Sequence, residues 1–244
     1  MEHVYFAAPR SSELELLKEE GATHLLISFA DRPLEKILDR SLEMGFEIMI
    51  DSGAYSAFSV GQRIDIDEYV ELLKRYPQCI YINLDVCSDP DETQRNQGYL
   101  EDMGLNPIPV YHFGEPREVL EGLVAKGYGY IGLGNSILSV RRPQSQFRSW
   151  VFDCCNQYPE IKFHGFAVGA LKPELMGLYS ADSTTWGMAA RYQAQVGRNF
   201  TLQGAEAGLF WTREELLRHN IRALLWMKDN IAKSNSTQTI PLIP

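Results

Sequence analysis

Residues 33–55 read PLEKILDRSLEMGFEIMIDSGAY. Pro33 can open a helix because its missing N–H is one that the first turn leaves unpaired, and Gly45 can close it. The next run, Ile48–Asp51, is continuously apolar until its last residue, which suits a strand covered on both faces better than one with a wet side. The strand then breaks into a polar, glycine-bearing turn. Helix, buried strand and polar turn together make one unit of a parallel sheet.

The same rhythm runs outward in both directions. Strands are predicted at Val4–Ala8, Leu25–Phe29, Ile48–Asp51, Ile80–Val86, Ile108–His112, Tyr130–Leu133, Lys162–Val168 and Tyr179–Asp182. Helices are predicted between them. Ser11 or Ser12 caps ELELLKEEG, and Asp65 or Asp67 starts DEYVELLKRYP. Pro90, Pro116, Pro143 and Pro173 open four more. Thr212 and Glu215 form a capping box ahead of Leu217, Ile221, Leu224 and Leu225 at helical spacing. Eight strands alternating with helices predict an α/β fold, a single compact (β/α)8 TIM barrel over residues 1–234 with a C-terminal helix. An open doubly wound sheet is the alternative. Residues 235–244, polar and proline-bearing, read as a frayed tail.

Lys and Arg total 23 against 32 Asp and Glu, a net charge of −9 that argues against a protein coating nucleic acid without specificity. No apolar run reaches the ~20 residues of a membrane span. The start, MEHVYFAAPRSSELELL, has no basic leader with an apolar stretch behind it, so the cytoplasm is the expected compartment. Cys79, Cys87, Cys154 and Cys155 lack zinc spacing and read as reduced, buried thiols. No metal or cofactor is expected.

In a barrel, chemistry sits where strands end. The predicted strand ends are polar: Asp51-Ser52-Gly53-Ala54-Tyr55, Asp85, His112-Phe113-Gly114-Glu115, Gly132-Leu133-Gly134-Asn135, Gly165-Phe166-Ala167-Val168-Gly169 and Asp182-Ser183-Thr184. A charged Asp ending an apolar strand must meet water, a partner or a substrate. Each could merely cap the next turn, and each Gly could merely serve a tight turn or cradle a phosphate. Three acids at one mouth favour attack at an anomeric carbon, one carboxylate as nucleophile and another moving protons. A Schiff-base aldolase would need a strand-end Lys, and a serine hydrolase a GxSxG turn; neither is present. Metal-dependent hydrolysis through Asp51, Asp85, His112 and Asp182 ranks lower, because their spacing fits no motif. His3, His24, His164 and His219 read as structural.

These stretches resemble the tRNA-guanine transglycosylase superfamily. DSGAYSAF at 51–58 is similar to that family's DSGG(F/Y)-Q motif, with Ala54 in place of the second Gly and Ser56 in place of the Gln. NLDV at 83–86, PVYHFGE at 109–115, YIGLG at 130–134, HGFAVG at 164–169 and SADSTTW at 180–186 follow in the family's order. The likeness spans residues 45–190. The family's tRNA enzymes carry a C-terminal zinc subdomain with three cysteines that this chain lacks. The shorter, zinc-free outline resembles the relatives that place 7-deazaguanine bases in DNA.

The resemblance implies a base-exchanging transferase, with Asp182 as nucleophile at C1′ and Asp51 as general acid/base. It implies Tyr55 stacking on the base, Asp85 reading its donors, and Ser52, His112, Gly165 and Phe166 lining the base site. Arg191 falls near a phosphate. The implied partners are nucleic acid, DNA ahead of tRNA, and a 7-deazaguanine base such as a preQ0-type nitrile. The missing subdomain leaves room for a protein partner or a homodimer. Arg141, Arg142, Arg148 and Arg198 could add cations at the mouth. The competing readings are tRNA as polymer, a non-catalytic nucleobase or nucleic-acid binding module, and a small-sugar glycosidase.

Overall fold

The computed structural model describes residues 1–30, 34–86, 89–134, 144–167, 175, 177–196, 202–203 and 211–231. Eight parallel strands form one curled sheet: β1 His3–Ala7, β2 His24–Ser28, β3 Glu47–Asp51, β4 Ile80–Tyr81, β5 Val110–His112, β6 Tyr130–Gly134, β7 Lys162–Gly165 and β8 Ser180–Ser183. Their spatial order is β4-β3-β2-β1-β8-β7-β6-β5, so every consecutive pair but β4 and β5 lies side by side and the last strand returns to the first. The two outer strands also touch. Ile82 and Ile108 make a parallel bridge, with the Ile108 N–H donating to Tyr81 O at 2.9 Å and the Asn83 N–H to Ile108 O at 2.9 Å. A doubly wound sheet, the alternative expectation, would run outward from its middle in both directions; this sequential order does not.

The helices are α1 Leu14–Glu19, α2 Leu34–Glu43, α3 Ala54–Ser59, α4 Ile66–Arg75, α5 Pro90–Asp102, α6 Arg117–Ala125, α7 Gln144–Gln157, α8 Thr185–Arg191 and α9 Arg213–Asp229. Two cores follow from the two-residue period of the strands. Val4, Phe6, Leu25, Ile27, Ile48, Ile50, Ile131 and Phe163 face the helices. Tyr5, Ala7, Leu26, Met49, Ile82, Ile108 and Val110 pack together on the other, inner face, with Tyr130 and Phe166 against them. Burial on both faces is why the strands read as unbroken apolar runs.

The C-terminal helix closes on the first. Arg218 and Arg222 both pair with Glu20 and Arg213 with the buried Glu13. Burial alone would raise the Glu20 carboxyl's pKa; the bonds from Arg222 and Arg218 hold it below the usual range. Fully buried Asn220 accepts from Val196 N at 2.8 Å and donates to Trp186 O at 3.1 Å, fixing α9 to α8. Among the described residues no helix is long and apolar enough to cross a membrane.

Ser11 and Ser12 do not cap α1. Ser11–Glu13 is a 3-10 turn in which Glu13 reaches back to the Arg10 N–H. The fourth strand stops far short of Val86, because beyond the Asn83 N–H the segment turns to α5 for its bonds. Asn83 Nδ2 donates to Thr93 O, Asn96 Nδ2 to Leu84 O, and the Val86 N–H to Thr93 Oγ1. The seventh strand ends at Gly165, and Val168 lies outside the described residues, as do Cys87, Pro33, Pro143, Pro173 and residues 235–244. Helices α3 and α8 and a short antiparallel pair, β9 Gln195–Val196 with β10 Leu202–Gln203, are additional to the sequence reading. Cys79, Cys154 and Cys155 are free and buried, and burial pushes their thiols up, to about 11, 12 and 12.

Gly53 is where the turn after β3 demands glycine. Its φ is +76°, and a Cβ there would stand 2.6 Å from Ser28 Oγ and 2.9 Å from Ala30 N. Gly53→Ala is expected to cost about 2–4 kcal/mol, combining left-handed strain with overpacking, read as a lower denaturant midpoint at unchanged slope.

Candidate active site

One end of the sheet gathers the polar strand ends into two clusters. The first belongs to β3, β4 and β5. Asp51 shares the inner face of β3 with Met49 and pairs in register with Ser28 of β2. It is half-buried, and its Oδ2 accepts from the Gly53 N–H at 3.1 Å. Ser52, fully buried, donates through Oγ to Asp85 Oδ1 at 3.4 Å. Asp85 therefore faces β3 from a loop braced by α5. Beneath them the Tyr69 hydroxyl donates to Ile82 O at 2.8 Å. Its burial, with the charges of Asp51 and Asp85, holds that phenol well above its ordinary pKa.

His112 joins Asp85 to β5. Its Nε2 lies 2.9 Å from Asp85 Oδ2 and its Nδ1 3.0 Å from Glu115 Oε1, with the residue only 2% exposed. The turn that brings Glu115 back runs through Gly114 at φ +98°, and Glu115 also accepts from the His112 N–H at 2.9 Å. Burial disfavours the charged ring, but two carboxylates bonded to it outweigh burial and push its pKa up to about 10. The imidazolium is thus a clamp with both nitrogens engaged, one on Asp85 and one on Glu115. Glu115, absent from the candidate residues of the sequence, is its second jaw; the signal for it was an acid three residues past a strand-end histidine, across a glycine.

The second cluster belongs to β6, β7 and β8. Asp182 sits on the inner face of β8, paired in register with Tyr5 of β1, and is 6% exposed. Its Oδ1 accepts the Ala167 N–H at 2.9 Å and lies 3.5 Å from His164 Nε2. Ala167 is left-handed, φ +45°, a strained conformation for a residue with a Cβ and one that aims its N–H at the carboxylate. The buried Gly165 and the half-buried Phe166 precede it. Phe166 packs edge-on against His164, centroids 4.6 Å apart.

Strand β6 is the seam between the clusters because its inner face has no side chains at two positions. A Cβ on Gly132 would come within 2.4 Å of Phe166 Cε2, and one on Gly134 within 2.7 Å of His112 Cδ2. Gly132→Ala is expected to destabilise by about 1–3 kcal/mol through that overlap. Phe166→Ala should relieve it, so the double variant costs less than the two single changes summed in a denaturation cycle.

The remaining candidates are more scattered. Tyr55 stands 58% exposed on α3 beside an exposed Phe58. Arg191 is exposed at the end of α8, and Arg148 is half-buried in α7. Arg141, Arg142 and Arg198 lie outside the described residues. Strands β3 and β8 are separated by β2 and β1. Asp51 and Asp182 therefore stand three strand spacings apart around the sheet, and the registers offset them by four residues along the strands as well. Among the described residues, no three of the His, Cys, Asp and Glu side chains are placed to hold a metal ion. No protein-family model matches the chain, and no curated protein matches it.

Proposed function

We propose that the curled sheet is a closed (β/α)8 barrel whose mouth exchanges nucleobases on a nucleic acid. The observation that carries this reading is the trio of aspartates at one end of the sheet, each held differently: Asp182 by one oxygen, Asp85 by a histidine clamp, Asp51 by its own turn. Asp182 attacks C1′ of the target nucleotide. The C1′–N bond breaks, its electron pair leaves with guanine, and Asp51 delivers a proton to that base. Asp51 then takes a proton from the incoming base, whose nitrogen attacks C1′ and releases Asp182. An ionised Asp85 can only accept, so it suits the ring N–H and amino donors of a guanine-like base.

Stacking of that base falls to Tyr55, with Phe166 at the floor. The target must leave its stack to reach the mouth, and Arg148 and Arg191 supply charge for its backbone. DNA is the favoured polymer and a 7-deazaguanine the favoured incoming base, both on the sequence resemblance. The deciding experiment incubates the protein with labelled guanine or 7-deazaguanine and either duplex DNA or unmodified tRNA, followed by mass spectrometry of the nucleosides. Label in DNA alone is the expected result. Label in tRNA alone reverses the choice of polymer, and label in neither, with retained base binding, favours the binding module.

A further inference from the structure

His164, on the inner face of β7, lies one inner-face position below Phe166 and against Asp182. It is completely buried. Its Nδ1 is 2.6 Å from Ser180 Oγ, and that oxygen is 2.6 Å from the Tyr130 hydroxyl. Its Nε2 has no hydrogen-bond partner closer than the 3.5 Å approach to Asp182 Oδ1. A buried polar nitrogen without a full partner is costly, so what it faces matters.

We propose that His164 is a positioning residue for Asp182, held as the Nε2–H tautomer by the Tyr130–Ser180 hydroxyl pair. The proton order follows from what each group can do. A carboxylate only accepts, so a bare nitrogen lone pair against Asp182 would be repelled, whereas an N–H is attracted. With the hydrogen on Nε2, Nδ1 becomes an acceptor and Ser180 must donate to it. The serine oxygen then accepts from Tyr130, whose phenol burial pushes up to about 12 and so keeps protonated. Ala167 N–H and His164 Nε2–H address the same carboxylate oxygen, Oδ1. Together they fix the rotation of the carboxylate and turn Oδ2 toward the mouth. A 3.5 Å approach is long for a hydrogen bond, and contacts of this kind in unliganded sites shorten when substrate arrives.

This inference rests on the transglycosylase reading for its kinetic consequence but not for the tautomer itself, and the test separates the two. Long-range nitrogen–proton correlation spectra of uniformly 15N-labelled wild type report the ring state of each histidine, with His164 assigned by its disappearance in His164→Gln. The expected state is neutral with hydrogen on Nε2. An Nδ1–H ring or an imidazolium overturns the proposal. In exchange assays, His164→Gln places an amide N–H at the reach of Nε2, whereas His164→Asn ends one bond short. The Gln variant should keep kcat within about 10-fold, while the Asn variant loses about 100-fold in kcat with an unchanged KM for polymer. The acid limb of its pH–rate profile should also move to higher pH. An Asn variant of unchanged melting temperature that matches wild type in kcat and acid limb overturns the positioning role. If wild type exchanges no base but shows the Nε2–H ring, the transglycosylase reading falls and the hydrogen-bond chain stands.

Discussion

Asp182→Asn is expected to lower base exchange by at least about 10⁴-fold, the scale seen when a nucleophile is removed from a site whose binding groups remain. The amide is nearly isosteric and can still accept from the Ala167 N–H, so the cluster around Gly165, Phe166 and Ala167 should keep its geometry. What it cannot do is form the ester to C1′. A covalent protein–nucleic acid adduct, trapped by denaturation in the presence of guanine analogue, should therefore appear with wild type and vanish with the variant. Binding of free base should persist, because the accepting carboxylate assigned to it is Asp85, on the opposite cluster. Retention of exchange in the Asn variant would remove Asp182 from the chemistry altogether.

The second large effect concerns stability. His112→Leu leaves Asp85 and Glu115 facing one another across a buried apolar side chain, and removing one member of a buried ion cluster typically costs about 3–5 kcal/mol. The pH dependence has a definite sign. The folded-state pKa of His112 lies near 10, above the unfolded value. Its contribution is therefore complete below about pH 6.5 and disappears as pH climbs through 10. Urea titrations between pH 7 and 10 should show the wild-type midpoint falling more steeply than that of the Leu variant, with the two curves converging at the alkaline end. Parallel curves would mean that the ring is neutral in the folded protein. The same substitution frees Asp85 to rotate, so affinity for the incoming base should drop even where the chain stays folded.

Strand phase placed Asp51, His112 and Asp182 at one end, and it placed them well, because a side chain's face follows from a period of two once the run is recognised as strand. Asp85 escaped that logic. It appeared to end a long fourth strand, but Asn83, Asn96 and Thr93 bond its loop to α5, and a side chain-to-backbone bond leaves no periodic trace. His164 is hard to read from the sequence for the opposite reason. It has the right phase and the wrong depth, one inner-face position below the strand end, and depth becomes informative only when the neighbouring strand's register is known.

Local chemistry in the chain determined the parallel α/β rhythm, the starts of α4, α5, α6 and α9 at Asp65, Pro90, Pro116 and the Thr212 capping box, and the acids at the ends of β3 and β8. These depend on neighbours within a few residues, where sterics and capping act. Tertiary structure decided which acids meet: β8 beside β1, Ile82 beside Ile108, Gly132 and Gly134 bare so that Phe166 and His112 can approach. Those pairings join residues far apart along the chain, and the distances that set a charge, a tautomer or a clamp exist only after the sheet has curled.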